Sequence, residues 1–182
     1  MADVTTVSEQ LAGLVDAGFT KVGGTVEAIF IRPVTEEREE LQEAELTQAD
    51  GVKGDRWRAT TRMKLPDGSP DPRTQITMMN VKVLECVSGG RDKWALAGDQ
   101  LIVDLDVSAK NLPVGQRVRV GDAVVEVTDV PHTGCAKFRQ RYGSEGLDYI
   151  NAEGREDLRL RGVYVKVIEE ATVRVEDTIE KI

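Results

Sequence analysis

His132 and Cys135 stand three residues apart in the run Pro131-His132-Thr133-Gly134-Cys135-Ala136-Lys137-Phe138, which holds the chain's only histidine and one of its two cysteines. A thiol becomes a nucleophile or a metal ligand once it is ionised and reachable, and nearby cations or imidazole favour that state. His132 and Lys137 flank it closely. An imidazole at this spacing can activate a nucleophile, orient a ligand or donate a proton. One histidine and two cysteines cannot fill a closed zinc site without carboxylates, and nothing in the chain patterns as a Cys-His-Asp hydrolase. The opposing reading is that Cys135 is simply packed, as most free cysteines are.

The elements that must position this run alternate strongly. Val118-Arg119-Val120 and Val124-Val125-Glu126-Val127-Thr128 read as two strands joined at Gly121-Asp122, which places Cys135 just past a strand end. Such loops, held by a stiff sheet, are where reactive side chains tend to sit. Upstream, Val7, Leu11, Leu14 and Val15 recur at helical spacing before Gly18, so residues 1–22 are expected to form a helical extension packed on the rest. Strands are predicted over 24–31, 43–49, 74–78 and 162–168, with a half-exposed one over 101–107, where apolar and acidic residues alternate. Asn80 is placed to cap a short helix through Val81, Val83, Leu84 and Val87, in which Cys86 reads as a buried small hydrophobe. Lys64 to Arg73 is rich in proline and turn residues and reads as a long surface loop. Phe138 to Ala152 reads as one or two short helices interrupted near Gly143 and Gly146. Residues 117–124 echo 171–179, which predicts the same ribbon and turn used twice. Many short strands with a few inserted helices point to a mainly β protein, a closed or nearly closed β-barrel over residues 23–182.

A chain of 182 residues can bury a core without disulfides or structural metal. No apolar run approaches the roughly 20 residues needed to cross a bilayer. The N-terminus has no basic and then apolar signal segment, so a cytoplasmic protein without membrane contact is expected. The formal net charge of −8 argues against a nucleic-acid partner. Charge is unevenly spread. Acids crowd 36–45 and 169–180, whereas Lys53, Arg56, Arg58, Arg62 and Lys64 form one basic cluster and Lys137, Arg139 and Arg141 another. Local positive patches on an acidic chain suit a small anion. The turn Gly51-Val52-Lys53-Gly54-Asp55-Arg56 can bring backbone N–H groups to such an anion. No P-loop or dinucleotide-binding glycine pattern occurs.

Several pieces in order resemble the MOSC domain family, named after the C-terminal domain of molybdenum cofactor sulfurase. They are Gly54-Asp55-Arg56, Arg73-Thr74-Gln75-Ile76-Thr77, Gly98-Asp99-Gln100-Leu101, Leu112-Pro113-Val114-Gly115, Val120-Gly121-Asp122-Ala123, Glu126-Val127-Thr128, Cys135 and Arg161-Gly162. The resemblance runs from about residue 23 to the end. It implies a pyruvate-kinase-barrel-like fold with one cysteine at the mouth of a positively charged cavity. In amidoxime-reducing relatives that cysteine is a thiolate ligand of molybdenum in a pterin cofactor, and other members are proposed to carry persulfide sulfur. A soft thiolate suits either role.

Carried over, the resemblance makes Cys135 the metal or sulfur ligand, with Arg56, Arg73 and Lys53 holding the phosphate of the molybdenum cofactor (molybdopterin). His132, Thr133, Lys137 and Asp99 then surround it. Asp99 stands where relatives often have Glu followed by Asn. Gly134 replaces the usual proline before the cysteine, and Glu176-Asp177 replaces a usual Gly-Asp. The implied function is an oxidoreductase acting on a small N-hydroxylated substrate. With no flavin, haem or iron–sulfur pattern in the chain, a separate reductase must deliver electrons. The alternatives are a sulfur carrier or transferase loaded by a cysteine desulfurase, and a non-catalytic anion-binding barrel.

Overall fold

Alternating apolar residues along short strands give the architecture seen in a computed structural model, which describes residues 5–182. The strands are β1 (Gly24–Ile31), β2 (Glu39–Leu41), β3 (Glu43–Thr47), β4 (Gly51–Val52), β5 (Ile76–Asn80), β6 (Leu101–Val103), β7 (Arg117–Val120), β8 (Ala123–Val127), β9 (Val163–Glu169), β10 (Ala171–Arg174) and β11 (Thr178–Lys181). The helices are α1 (Val7–Ala17), α2 (Trp57–Thr60), α3 (Val81–Ser88), α4 (Ala136–Tyr142) and α5 (Ser144–Ile150), with short 3-10 turns at Pro72–Thr74, Arg91–Ala97 and Glu156–Leu158.

Seven strands close into a barrel in the order β11-β7-β8-β9-β5-β6-β1, because β11 pairs with both β7 and β1. Closure leaves the ring no free edge. All its pairs are antiparallel except β5 with β6. β2 pairs antiparallel with the last residues of β1, Ile29 to Ile31, and β10, β3 and β4 form a small separate sheet.

Side-chain alternation splits the core in two. Val26, Ile29, Met78, Leu101, Val103, Val118, Val125, Val165 and Ile179 fill the barrel. Ala28, Phe30, Met79 and Ile102, on the outer face of the same strands, pack with Leu11, Leu84, Trp94, Phe138 and Leu147 of the helical layer. α1 is capped by Thr6, ends at Gly18 and packs against α3 and α5. Asn80 caps α3 by accepting hydrogen bonds from the Lys82 and Val83 amides (2.9 and 3.4 Å). Cys86 lies half-buried against the helical core, and burial pushes its thiol pKa up.

Two expectations need correction. Residues 101–107 are not a half-exposed strand. Regular pairing ends at Val103, and the outward positions are covered too: Ile102 packs in the helical layer and Asp106 is buried, while Leu105 and Val107 continue the barrel core. Asp104 instead accepts from Thr20 (3.0 Å), and Asp106 accepts from the Ser108 amide (2.9 Å). The echoed ribbon also differs from its first copy. β7 and β8 pair as a hairpin, but β10 pairs with β3 while β11 joins the barrel. The reason lies in β1: Val26 donates to the Asp177 carbonyl (3.0 Å) and accepts from the Glu176 amide (2.8 Å), so the barrel captures the turn. Glu176 adopts the positive φ of 73° that a glycine would favour. The turn therefore holds a non-glycine residue in a conformation that glycine adopts more easily.

Candidate functional site

β8 delivers the chain to the site. At its end the Thr128 hydroxyl donates to the Arg73 carbonyl (2.7 Å), and residues 129–134 then leave the sheet without regular structure. Cys135 follows, exposed and extended, immediately before α4. The Asn151 side chain, at the end of α5, grips the Gly134 peptide groups from both sides. Its Oδ1 accepts from the Gly134 amide and its Nδ2 donates to the Gly134 carbonyl, each at 3.2 Å. A Cβ on Gly134 would overlap the tip of the Leu147 side chain, so a larger residue there requires Leu147 to shift.

The thiol opens into a cleft of about 430 Å³. Seven cations line it: Arg32, Arg38, Arg56, Arg62, Lys137, Arg141 and Arg161. No carboxylate lines it among the described residues. Lys137 and Arg141, one helical turn apart on α4, reach the exposed Glu36 at the rim (3.1 and 3.3 Å). Arg32, where β1 ends, is held from behind by Asp55 through its Nε and Nη2 (2.9 and 2.8 Å). Burial pulls its pKa down, but this pairing with Asp55 leaves it raised. Arg56 donates to Thr35 (2.7 Å) and Arg38 to the Glu37 carbonyl (2.6 Å), so neither is neutralised by these contacts. Burial lowers the pKa of Arg38, helped by the charges of Arg141, Arg32 and Arg56, and its Nε is buried without a partner. Arg38 and Arg56 thus face the cleft without a carboxylate partner among the described residues.

Beneath the cleft lies a second arrangement. Arg161 donates to Asp99 Oδ2 (2.6 Å) and to the Ala97 carbonyl (3.1 Å), and stacks over Phe138 at 4.7 Å. Asp99 Oδ1 and His132 Nδ1 face each other at 3.9 Å, both buried and unpartnered. His132 also packs on Tyr164, ring centroids 4.6 Å apart. Burial, then the charges of Arg161 and Arg32, push the His132 pKa well below 6.5, so the ring stays neutral.

Of the residues singled out by sequence, Cys135, His132, Arg56 and Lys137 line the cleft, and Asp99 sits behind it on Arg161. Three do not meet there. Arg73 turns to Asp71 (2.7 Å) and Asp129 (3.3 Å), which hold its guanidinium outside the cleft. Lys53 projects beside β3 and pairs with Glu45 (2.7 Å). Thr133 lines a different cavity. Sequence reading said nothing of Arg32 or Arg38 and placed Arg62 and Arg141 only within the two basic clusters suited to a small anion. Arg161 had a signal in the Arg161-Gly162 match. Arg38 had none, being embedded in an acidic run.

Barrel and cleft together define a class: small β-barrel proteins with an open thiol at a cation-walled mouth. The MOSC domain family model matches residues 74–180, and the chain belongs to that family. Solved structures share the fold. The YuaD protein of Bacillus subtilis superposes with a TM-score of 0.64 at 14% identity, covering 87% of this chain and 95% of that one. YiiM of Geobacillus stearothermophilus gives 0.57 at 12% identity, covering 87% of this chain and 75% of that one. YiiM of Escherichia coli gives 0.53 at 17% identity, covering 87% and 68% respectively. No functionally curated protein matches the chain.

Proposed function

We propose that the chain binds the molybdenum cofactor in the Cys135 cleft and serves as an oxidoreductase for small N-hydroxylated compounds. The observation that carries this reading is an exposed thiol opening into a cleft with seven cations and no carboxylate among the described lining residues. The volume falls within the roughly 300–1,000 Å³ of small-molecule sites. The donor set fits a phosphate-bearing group held at sulfur. Arg38, with its unpartnered Nε, together with Arg56 and Arg141 would hold the phosphate, and Cys135 would be the thiolate ligand. Among the described residues no group of three or more His, Cys, Asp or Glu forms a metal site. Cys135 would then be the protein's ligand to such a metal, whose remaining donors would come from outside the chain.

When bound, the cofactor supplies two-electron redox chemistry at the thiolate-ligated metal. Reducing an N-hydroxylated base consumes two electrons and two protons and releases water, and a separate reductase supplies the electrons. The protein's part is to orient the substrate, while solvent supplies the protons. His132, kept neutral by burial and by Arg161 and Arg32, would act there as a hydrogen-bond partner and not as a proton acceptor, and Asp99 Oδ1 stands 3.9 Å from Nδ1 to fix its tautomer on closer approach.

Metal analysis with pterin fluorescence on protein expressed in a cofactor-making host is the test. The expected result is stoichiometric molybdenum and pterin, with metal lost and pterin partly retained in Cys135→Ser. Protein free of both would overturn the reading. The exposure of Cys135 also supports a sulfur-carrier reading, in which a desulfurase persulfide hands its outer sulfur to the Cys135 thiolate and leaves as a thiolate. Mass spectrometry after incubation with a cysteine desulfurase would then find one added sulfur on Cys135. If neither cofactor nor persulfide is found and phosphate still binds, a non-catalytic anion-binding barrel remains.

A further inference from the structure

A second cavity, about 440 Å³, shares Val130, Pro131, His132 and Arg161 with the cysteine cleft and so lies across a common wall. Three arginines from one short stretch line it: Arg155, Arg159 and Arg161. Arg155 is stacked on Tyr149 at 3.8 Å and donates to the Tyr149 carbonyl (3.1 Å), which fixes its plane. Arg159 donates to the Leu112 carbonyl (2.6 Å). Neither has a carboxylate partner among the described residues, and burial lowers the Arg159 pKa, opposed only by the charge of Asp157. Arg159 also holds φ at 47°, a conformation that costs free energy in a non-glycine residue. Arg161 is 7% exposed, and its Nε is buried without a partner. Arg161 is already paired with Asp99 (2.6 Å), but Arg155 and Arg159 are not paired with a carboxylate, and cations so placed at a cavity call for an anion.

The remaining lining says what kind of anion. Ile150, Leu160 and Val163 give the cavity an apolar side. Of its two carboxylates, Asp129 is engaged by Arg73 and Glu156 is exposed. We propose that this second cavity is a binding site for a small organic anion, in which Arg155 and Arg159 take a carboxylate or phosphate group and the apolar side takes its hydrocarbon body. Asn151 lines the same cavity and clamps Gly134, so an occupant touches the support of Cys135. The proposal does not rest on cofactor binding at Cys135.

Nitrogen-15 NMR titration of the full chain with phenyl phosphate, and separately with benzoate, tests it. The expected result for at least one probe is saturable movement of amides over 151–162. In Arg155→Gln/Arg159→Gln the affinity there falls at least about tenfold, while amides near Arg56 and Lys137 respond as before. Thermal melting checks the fold of the double variant, and Arg155→Gln alone, expected to weaken binding several-fold, replaces it if the double variant melts early. Cys135→Ser should bind as tightly as the parent at the second cavity. Binding of neither probe, shifts confined to the cysteine cleft, or equal affinity in the arginine variants would overturn the proposal.

Discussion

At His132 the environment converts directly into a pH dependence. The folded ring resists protonation because it is buried and then because Arg161 and Arg32 are close. The unfolded chain has no such constraint and takes up a proton near pH 6.5. Above that pH both states are neutral and the group adds no slope. Below it the unfolded state binds more protons, so stability falls as pH is lowered, by up to about 1.4 kcal/mol per unit from this one site. Denaturant unfolding between pH 5 and 7 should show that slope, and His132→Gln should flatten it; an unchanged slope would mean the ring titrates normally. That Cys135 and His132 meet at one cleft was legible from their spacing. The cation wall was legible only in part: Arg56 and Lys137 were singled out and Arg141 fell in a basic cluster, but Arg32 and Arg38 come from the end of β1 and from an acidic run, where nothing nearby marks them. Arg73 misled for the opposite reason: its partners Asp71 and Asp129 were invisible to a reading of basic clusters.

The loop and helix around Cys135 show how elements fix a reactive atom. At Gly134 the side-chain tip of Leu147 from α5 occupies the space of a Cβ, and Asn151 binds both peptide groups of that residue. Gly134→Ala should cost about 1–3 kcal/mol through overpacking and change the rate at which iodoacetamide alkylates Cys135. The cost should shrink in a Leu147→Ala background, a coupling that unfolding of the four proteins would measure. Equal costs in both backgrounds would show that the glycine answers to something else. At this scale the sequence was most readable where local chemistry decides. The stop of α1 at Gly18, the Asn80 cap and the β7–β8 hairpin follow from neighbouring residues. The β10–β11 segment was misread because Val26, about 150 residues earlier, captures its turn.

For the molecule as a whole, the sign of the charge depends on distance. Far away, an anion meets a net charge of −8; within the cleft it meets seven cations. Short-range attraction must therefore overcome long-range repulsion, and screening acts on both. Glu36 tilts this balance, because it occupies Lys137 and Arg141 at the rim and is itself kept ionised, first by the hydrogen bond from Lys137. Any anion entering the cleft competes with that carboxylate for the same two donors. The ion pair is exposed, so its loss is worth little on its own. Glu36→Gln should nevertheless tighten inorganic phosphate binding about 1.5- to 5-fold, read from the fluorescence of Trp57, which lines the cleft. Raising salt from about 0.05 to about 0.5 M should weaken phosphate binding in both proteins and narrow the gap between them, because the rim charges are the more strongly screened. A gap that persists at high salt would place the effect of Glu36 in the shape of its loop, where it holds φ at 64°, and not in its charge.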